Sequence, residues 1–217
     1  MESELNCLLP LIDDIKVENS NGYTIRHGRM GANEVAVMQT GIGKVNAAVG
    51  AISLIDCFAP DLIVNTGIAG GTGSEADVLD VVIADRIGYY DVYCGPGNER
   101  GQVQGLPVVF ECKGAEMLDI KAAEKLPGVK RGLIASGDLF VSTVDELKAV
   151  LAVRPEAMAV DMESGAIAQV CYLRQVPFVA VRVVSDTPGV ENHHAQYSEF
   201  FNIAPKSTFN VVKALLS

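Results

Sequence analysis

Residues 157–189 read AMAVDMESGAIAQVCYLRQVPFVAVRVVSDTPG, and three elements follow from them. Ala157–Asp161 is a short strand. Glu163–Leu173 has the length and apolar content of a helix. Pro177–Ser185 is an apolar run of strand length, interrupted only by Arg182. A strand that is apolar on both faces, with no alternation, belongs in a sheet covered on both sides.

The chain on either side repeats this alternation. Tyr23–Arg29 and Glu34–Thr40 read as strands around the turn Met30–Asn33. Lys44–Phe58 reads as a helix, with Val45, Ala48, Val49, Ile52 and Ile55 at helical spacing, and Asp61–Thr66 and Asp80–Ile87 read as strands. Ala115–Lys125 reads as a helix, Gly132–Ser136 as a strand, and Val144–Val153 as a helix capped by Ser142 or Thr143. Ser198–Leu216 reads as a helix broken or kinked at Pro205. No repeat, linker or low-complexity segment divides the chain, so residues 1–217 are expected to form one domain. The expected fold is α/β, with a central mixed, mainly parallel twisted sheet flanked by helices. Ligands of such sheets sit beyond the carboxyl ends of the strands. That rule directs attention to Met1–Glu4, Thr66–Gly71, Asp161–Glu163 and Arg182–Asp186.

Bulk properties narrow the function. The 217 residues are 49% hydrophobic and carry a net charge of −10, which suits one large globular domain. An acidic chain without a basic run is a poor partner for nucleic acid or an anionic membrane. The longest apolar run, around Ala47–Leu54, is shorter than the roughly 18 residues of a membrane helix and reads as a buried helix. The start, MESELNCLLPLIDD, has no basic n-region and apolar core of a signal peptide. Five scattered cysteines without a CxxC pair fit reduced thiols in the cytoplasm.

Arg182 carries the first chemical signal. A charge inside an apolar strand must be paired or must line a cavity. It belongs either to a structural Arg–carboxylate pair or to a site with Ser185 and Asp186 at the strand's end. Ser185 and Asp186 suit the polar edge of a purine, and a protonated Asp186 suits protonation of a leaving base. In DMES, Asp161 reads as an N-cap with Ser164 near N3. That leaves Met162 and Glu163 at a strand-to-helix junction, where a carboxylate suits ribose hydroxyls and positive charge on a sugar. The turns Thr40–Lys44 and Asn65–Gly71 are glycine-rich, and either suits a phosphate cradle. Neither matches GxxxxGK[ST] or GxGxxG, and tight packing explains both. His193 and His194 lack a third ligand at metal spacing. With no GxSxG elbow and no activated cysteine, carboxylates remain as the acid–base machinery.

Taken together, MESEL (1–5), TGIGKVNAA (40–48), VNTGIAGG (64–71), GLIASGDLFV (132–141), AVDMESGAIAQVC (159–171) and VPFVAVRVVSDTPG (176–189) resemble the 5′-methylthioadenosine/S-adenosylhomocysteine nucleosidases of the purine nucleoside phosphorylase superfamily. The resemblance runs in the family's order over nearly the whole chain. It implies hydrolysis of the N-glycosidic bond of an adenine thionucleoside by a homodimer, with no metal or organic cofactor. It implies that Glu4 activates water, Glu163 binds the ribose hydroxyls, Asp186 protonates N7 with Ser185 holding it, and Arg182 stands near the water. It further implies that Met162 lies against the sugar, that Phe140 and Val141 bind the base, and that Tyr197 covers the 5′ substituent. Gly101–Pro107 corresponds to a segment that closes the partner's 5′ pocket. Two departures stand out. The family's short apolar strand ahead of the segment matching Met1–Glu4 is missing, and Ile68 replaces a serine that some relatives place near the ribose. Competing expectations are a nucleosidase for another modified purine nucleoside such as futalosine, a phosphorylase, and a non-catalytic nucleoside binder. The phosphorylase suffers from a shortage of well-placed arginines, since related phosphorylases carry one just before the turn that here begins Asn65-Thr66.

Overall fold

The computed structural model describes residues 5, 6, 8–189, 200 and 211–215. A 3-10 turn at Leu9–Leu11 leads into a three-stranded antiparallel sheet of β1 (Asp13–Ser20), β2 (Tyr23–Met30) and β3 (Asn33–Val37). β1 is absent from the sequence reading, because its residues DDIKVENS lack an apolar face and are exposed along nearly the whole strand. Helix α1 (Lys44–Phe58) then leads to β4 (Ile63–Gly71) and β5 (Val81–Tyr89). The short β6 (Phe110–Glu111) precedes β7 (Val129–Ser136), α2 (Val144–Val153), β8 (Ala157–Asp161), α3 (Ser164–Arg174) and β9 (Phe178–Asp186). Ala115–Lys125 is not one helix. A 3-10 turn at Lys113–Met117 and a single helical turn at Ile120–Ala123 are separated by extended Leu118, and Asp119 caps the second through the Ala122 amide. In the predicted C-terminal helix, Phe200 and 211–215 are helical, and Pro205 lies outside the described residues.

Strands β4 to β9 form a second sheet in the order β6-β5-β7-β8-β4-β9, with β9 also pairing back onto β5. The sheet therefore curls into a partly closed barrel, a closure that the sequence reading of a mixed, mainly parallel sheet does not include. The long ladders, β4–β9, β5–β7 and β7–β8, are parallel. The pairings that close the barrel, β4–β8 and β5–β9, are short and antiparallel. Since β4 runs with β9 and against β8, the two strands flanking α3 run in opposite directions. Their carboxyl ends converge where Gly70 and Gly71 cross Val160 and Ala159, and this crossing creates the site. Gly71 is required there, because a Cβ would come within 2.8 Å of the Val184 side chain. Over Ile63–Ala69 the described residues supply β4 with no strand partner except β9.

Every residue of β9 is buried, as its unbroken apolar sequence demands. Helix α1 departs from expectation. Its buried residues are Ala47, Gly50, Ala51, Ser53 and Ile55, small side chains that allow close packing on α3. Val45, Val49 and Ile52, predicted to face inward, are exposed, Val45 by 74%. Helix α2 starts as predicted at Thr143, which forms a capping box with Glu146.

Gly71→Ala is expected to destabilise the fold by about 1–3 kcal/mol, the range for overpacking a filled site, as measured by urea denaturation. An unchanged midpoint would show that the crossing has slack.

Candidate active site

Arg182 projects from the middle of β9 and is 4% exposed. Its Nε donates to Asp161 Oδ2 at 2.8 Å, and its Nη2 lies 2.6 Å from the same oxygen. Nη2 also donates to Asn65 Oδ1 at 2.7 Å and reaches Glu163 Oε2 at 3.5 Å. Thus β4, β8 and β9 each contribute one member of a buried cluster, and Glu163 joins it from the N-terminus of α3. A lone guanidinium here would be prohibitive, whereas one paired and hydrogen-bonded on this scale is tolerated. The structural reading of Arg182, a buried pair with a carboxylate, holds.

Asp161 is the counter-ion that the sequence left unnamed. The N-cap of α3 is Glu163 rather than Asp161. Asp161 nevertheless accepts from Ser164 Oγ at 2.9 Å and from the Ser164 amide at 3.3 Å. Asn65 was missed as well. The signal for both was the buried charge on β9, but strand sequences do not say which neighbours lie beside it.

Glu163 is the most instructive carboxylate. Burial raises its carboxyl above the ordinary glutamate range, Arg182 pulls it back, and Asp161 pushes it up again. Its Oε1 accepts the Gly43 amide at 3.0 Å, and the next amide, of Lys44, donates to Asp138 Oδ1 at 2.8 Å. The glycine turn before α1 therefore presents its amides to the protein's own carboxylates. Protein acceptors occupy the donors that a phosphate cradle would need. Gly43 adopts φ +88°, and a Cβ there would lie 3.1 Å from Asp138 Oδ1.

Ser185 and Asp186 end β9, both buried. The Ser185 hydroxyl touches Asp186 Oδ1 and lies 3.2 Å from the Ala69 carbonyl. Beyond Asp186, the Gly189 amide donates to the Ser142 carbonyl, joining the β9 loop to the loop after β7.

These residues border a cavity of about 1130 Å³. Its lining includes Met162, Glu163, Arg182, Ser185, Asp186, Phe140 and Val141. The sequence-predicted residues from three separate segments thus border one cavity. Ile68 also borders it, but its side chain packs against the core. By strand alternation it faces the way of its partner Val183 rather than Arg182. Glu4 and Tyr197 lie outside the described residues. None of residues 101–107 lines this cavity.

The sequence profile of the phosphorylase superfamily matches residues 1–217. A curated 5′-methylthioadenosine/S-adenosylhomocysteine nucleosidase from Haemophilus influenzae is 37% identical over 219 residues, spanning all of this chain and 95% of its own. The chain belongs to this nucleosidase family of the phosphorylase superfamily. Two solved structures agree. The Neisseria meningitidis nucleosidase in complex with methylthio-immucillin-A superposes with a TM-score of 0.92 at 34% identity, covering 100% of this chain and 95% of that one. The Colwellia psychrerythraea nucleosidase in complex with adenine gives 0.91 at 34% identity, covering 100% and 91%.

Asp161→Ala is expected to cost about 3–5 kcal/mol in chemical denaturation, because it leaves a buried guanidinium without its main counter-charge. A loss below about 1 kcal/mol would show that Arg182 is compensated elsewhere.

Proposed function

We propose that the chain hydrolyses the N-glycosidic bond of 5′-methylthioadenosine and S-adenosylhomocysteine, releasing adenine and the 5-thioribose. The observation that carries this reading is the convergence of Asp186, Glu163 and Arg182 on one cavity in a member of this nucleosidase family.

In this reading Asp186 is the general acid at the purine N7. Ser185 suits the part. Its hydroxyl donates to Asp186 Oδ1 and lies 3.2 Å from the Ala69 carbonyl, so it fixes the orientation of the Asp186 carboxyl at the end of β9. Glu163 accepts from the ribose hydroxyls and lies where positive charge grows on the sugar. Because Asp161 carries most of the pairing with Arg182, Glu163 keeps only a long contact with the guanidinium and stays available for that purpose. Met162 lies against the sugar, and Phe140 and Val141 against the base. Glu4 activates the attacking water and Tyr197 covers the 5′ group.

The exposed stripe of Val45, Val49 and Ile52 on α1, continued by Ile42, supports a homodimer. Contiguous apolar surface of this kind marks association sites, and in a dimer Gly101–Pro107 would serve the partner's pocket. Free thiols at Cys57, Cys94, Cys112 and Cys171 support a reducing compartment, the cytoplasm. The phosphorylase alternative is disfavoured, because the Gly43 and Lys44 amides and Arg182 are committed to carboxylates.

The decisive experiment measures adenine release from methylthioadenosine in phosphate-free buffer. Release is expected, and Asp186→Asn is expected to lower kcat by about 10²–10⁴-fold, the usual weight of general acid catalysis. Activity that requires phosphate would establish the phosphorylase instead, and binding without release would establish a binder.

The pH profile gives a second prediction. Glu163 acts as a carboxylate, so activity falls as pH drops through its raised pKa. The acid limb of kcat/KM should therefore lie above the ordinary glutamate range, and the residual activity of Glu163→Gln should lose that limb. An identical profile in the variant would remove Glu163 from the assignment.

A further inference from the structure

We infer that Asp138 is a positioning residue, which holds Glu163 in place through the Gly43–Lys44 turn and couples it to the base-binding segment. The inference rests on the proposed reading of Glu163 as the ribose-binding carboxylate.

Helix α1 begins without a side-chain cap of its own, since its N-cap is Gly43. Two carboxylates from distant parts of the chain do that work. Asp138, on the loop after β7, accepts the Lys44 amide, and Glu163 accepts the Gly43 amide. Adjacent amides of one rigid turn are thus shared between the two side chains. Rotation of the turn that breaks one bond breaks the other.

Asp138 is itself held. Its amide donates to Asp91 Oδ2 at 2.8 Å, and Asp91 Oδ1 receives Lys44 Nζ at 2.6 Å. The Lys44 ammonium also sits 4.8 Å from the centre of the Tyr89 ring. Asp91, Asp138 and Lys44 therefore form a closed ring of hydrogen bonds joining the ends of β5 and β7 to the start of α1. The lysine side chain and the positive end of the helix balance the two aspartates. Asp138 and Asp91 are exposed, so this ion pairing adds little stability, and its effect is geometric. Asp138 immediately precedes Leu139, Phe140 and Val141, and Tyr90 Oη steadies the same loop by donating to the Leu139 carbonyl at 3.2 Å. A shift of the base-binding loop would therefore be transmitted through Asp138 and the turn to Glu163.

The test is a double-mutant cycle on kcat/KM for methylthioadenosine, with nucleoside-analogue affinity and thermal midpoint measured alongside. Asp138→Ala is expected to lower kcat/KM about tenfold, since small misplacements of a site group cost up to about 10²-fold. Asp138→Asn, which retains an oxygen for the Lys44 amide, should stay close to wild type. The Asp138→Ala penalty should largely vanish when Glu163 is already Gln, because the two then act on one contact. A similar penalty in both backgrounds, or a loss that merely tracks the thermal midpoint, would overturn the coupling. Glu163→Gln without effect on rate or analogue affinity would instead overturn the ribose reading beneath it.

Discussion

A guanidinium inside an apolar strand must be compensated within a few ångströms, and here Asp161 carries most of that duty. The Arg182–Asp161 pair, with Asn65 beside it, ties β9 to β8 and β4. The rest of the site is arranged around this bond. It fixes the strand ends from which Glu163 and Asp186 depart. It also neutralises the positive charge that would otherwise capture Glu163 outright. Glu163 keeps only a long contact with Arg182, so it remains available to a ligand.

The barrel geometry explains why so many polar groups meet in so little space. In an open parallel sheet all carboxyl ends lie on one edge. In this protein two parallel sets oppose each other, and their carboxyl ends meet head-on at Gly70 and Gly71. Residues from β4, β8 and β9 thus face one cavity without long excursions of the chain. The glycine pair is the steric condition for that approach, as the Val184 contact at Gly71 illustrates. The turn before α1 adds a second level of order. Its amides are turned inward to protein carboxylates, so an anion-binding feature has become part of the scaffold.

The apolar residues of α1 show where periodicity misleads. Val45, Val49 and Ile52 have the spacing of a core face, yet the chain buries Ala47, Gly50 and Ala51 in their place. Tight packing of α1 on α3 favours small side chains over large ones. The larger ones remain on the surface. Periodicity identifies an apolar face, but not whether the fold buries it. The same limit applies to β1, whose charged, exposed residues become a strand only because β2 offers it a hydrogen-bonding edge.

The sequence by itself determined most of the succession of strands and helices, the burial of β9, the start of α2 just after Ser142 and Thr143, and the family. All of these depend on residues close together in the chain or on motifs of fixed spacing. It also marked Arg182, Glu163 and Asp186 as chemically significant, because a charge among apolar residues is conspicuous wherever it occurs. Only the tertiary structure decided that Asp161 and Asn65 are the partners of Arg182, that Gly43 and Asp138 hold the start of α1, and that the sheet closes on itself. These are contacts between segments up to 120 residues apart. Their geometry depends on strand order and twist, which no local pattern encodes.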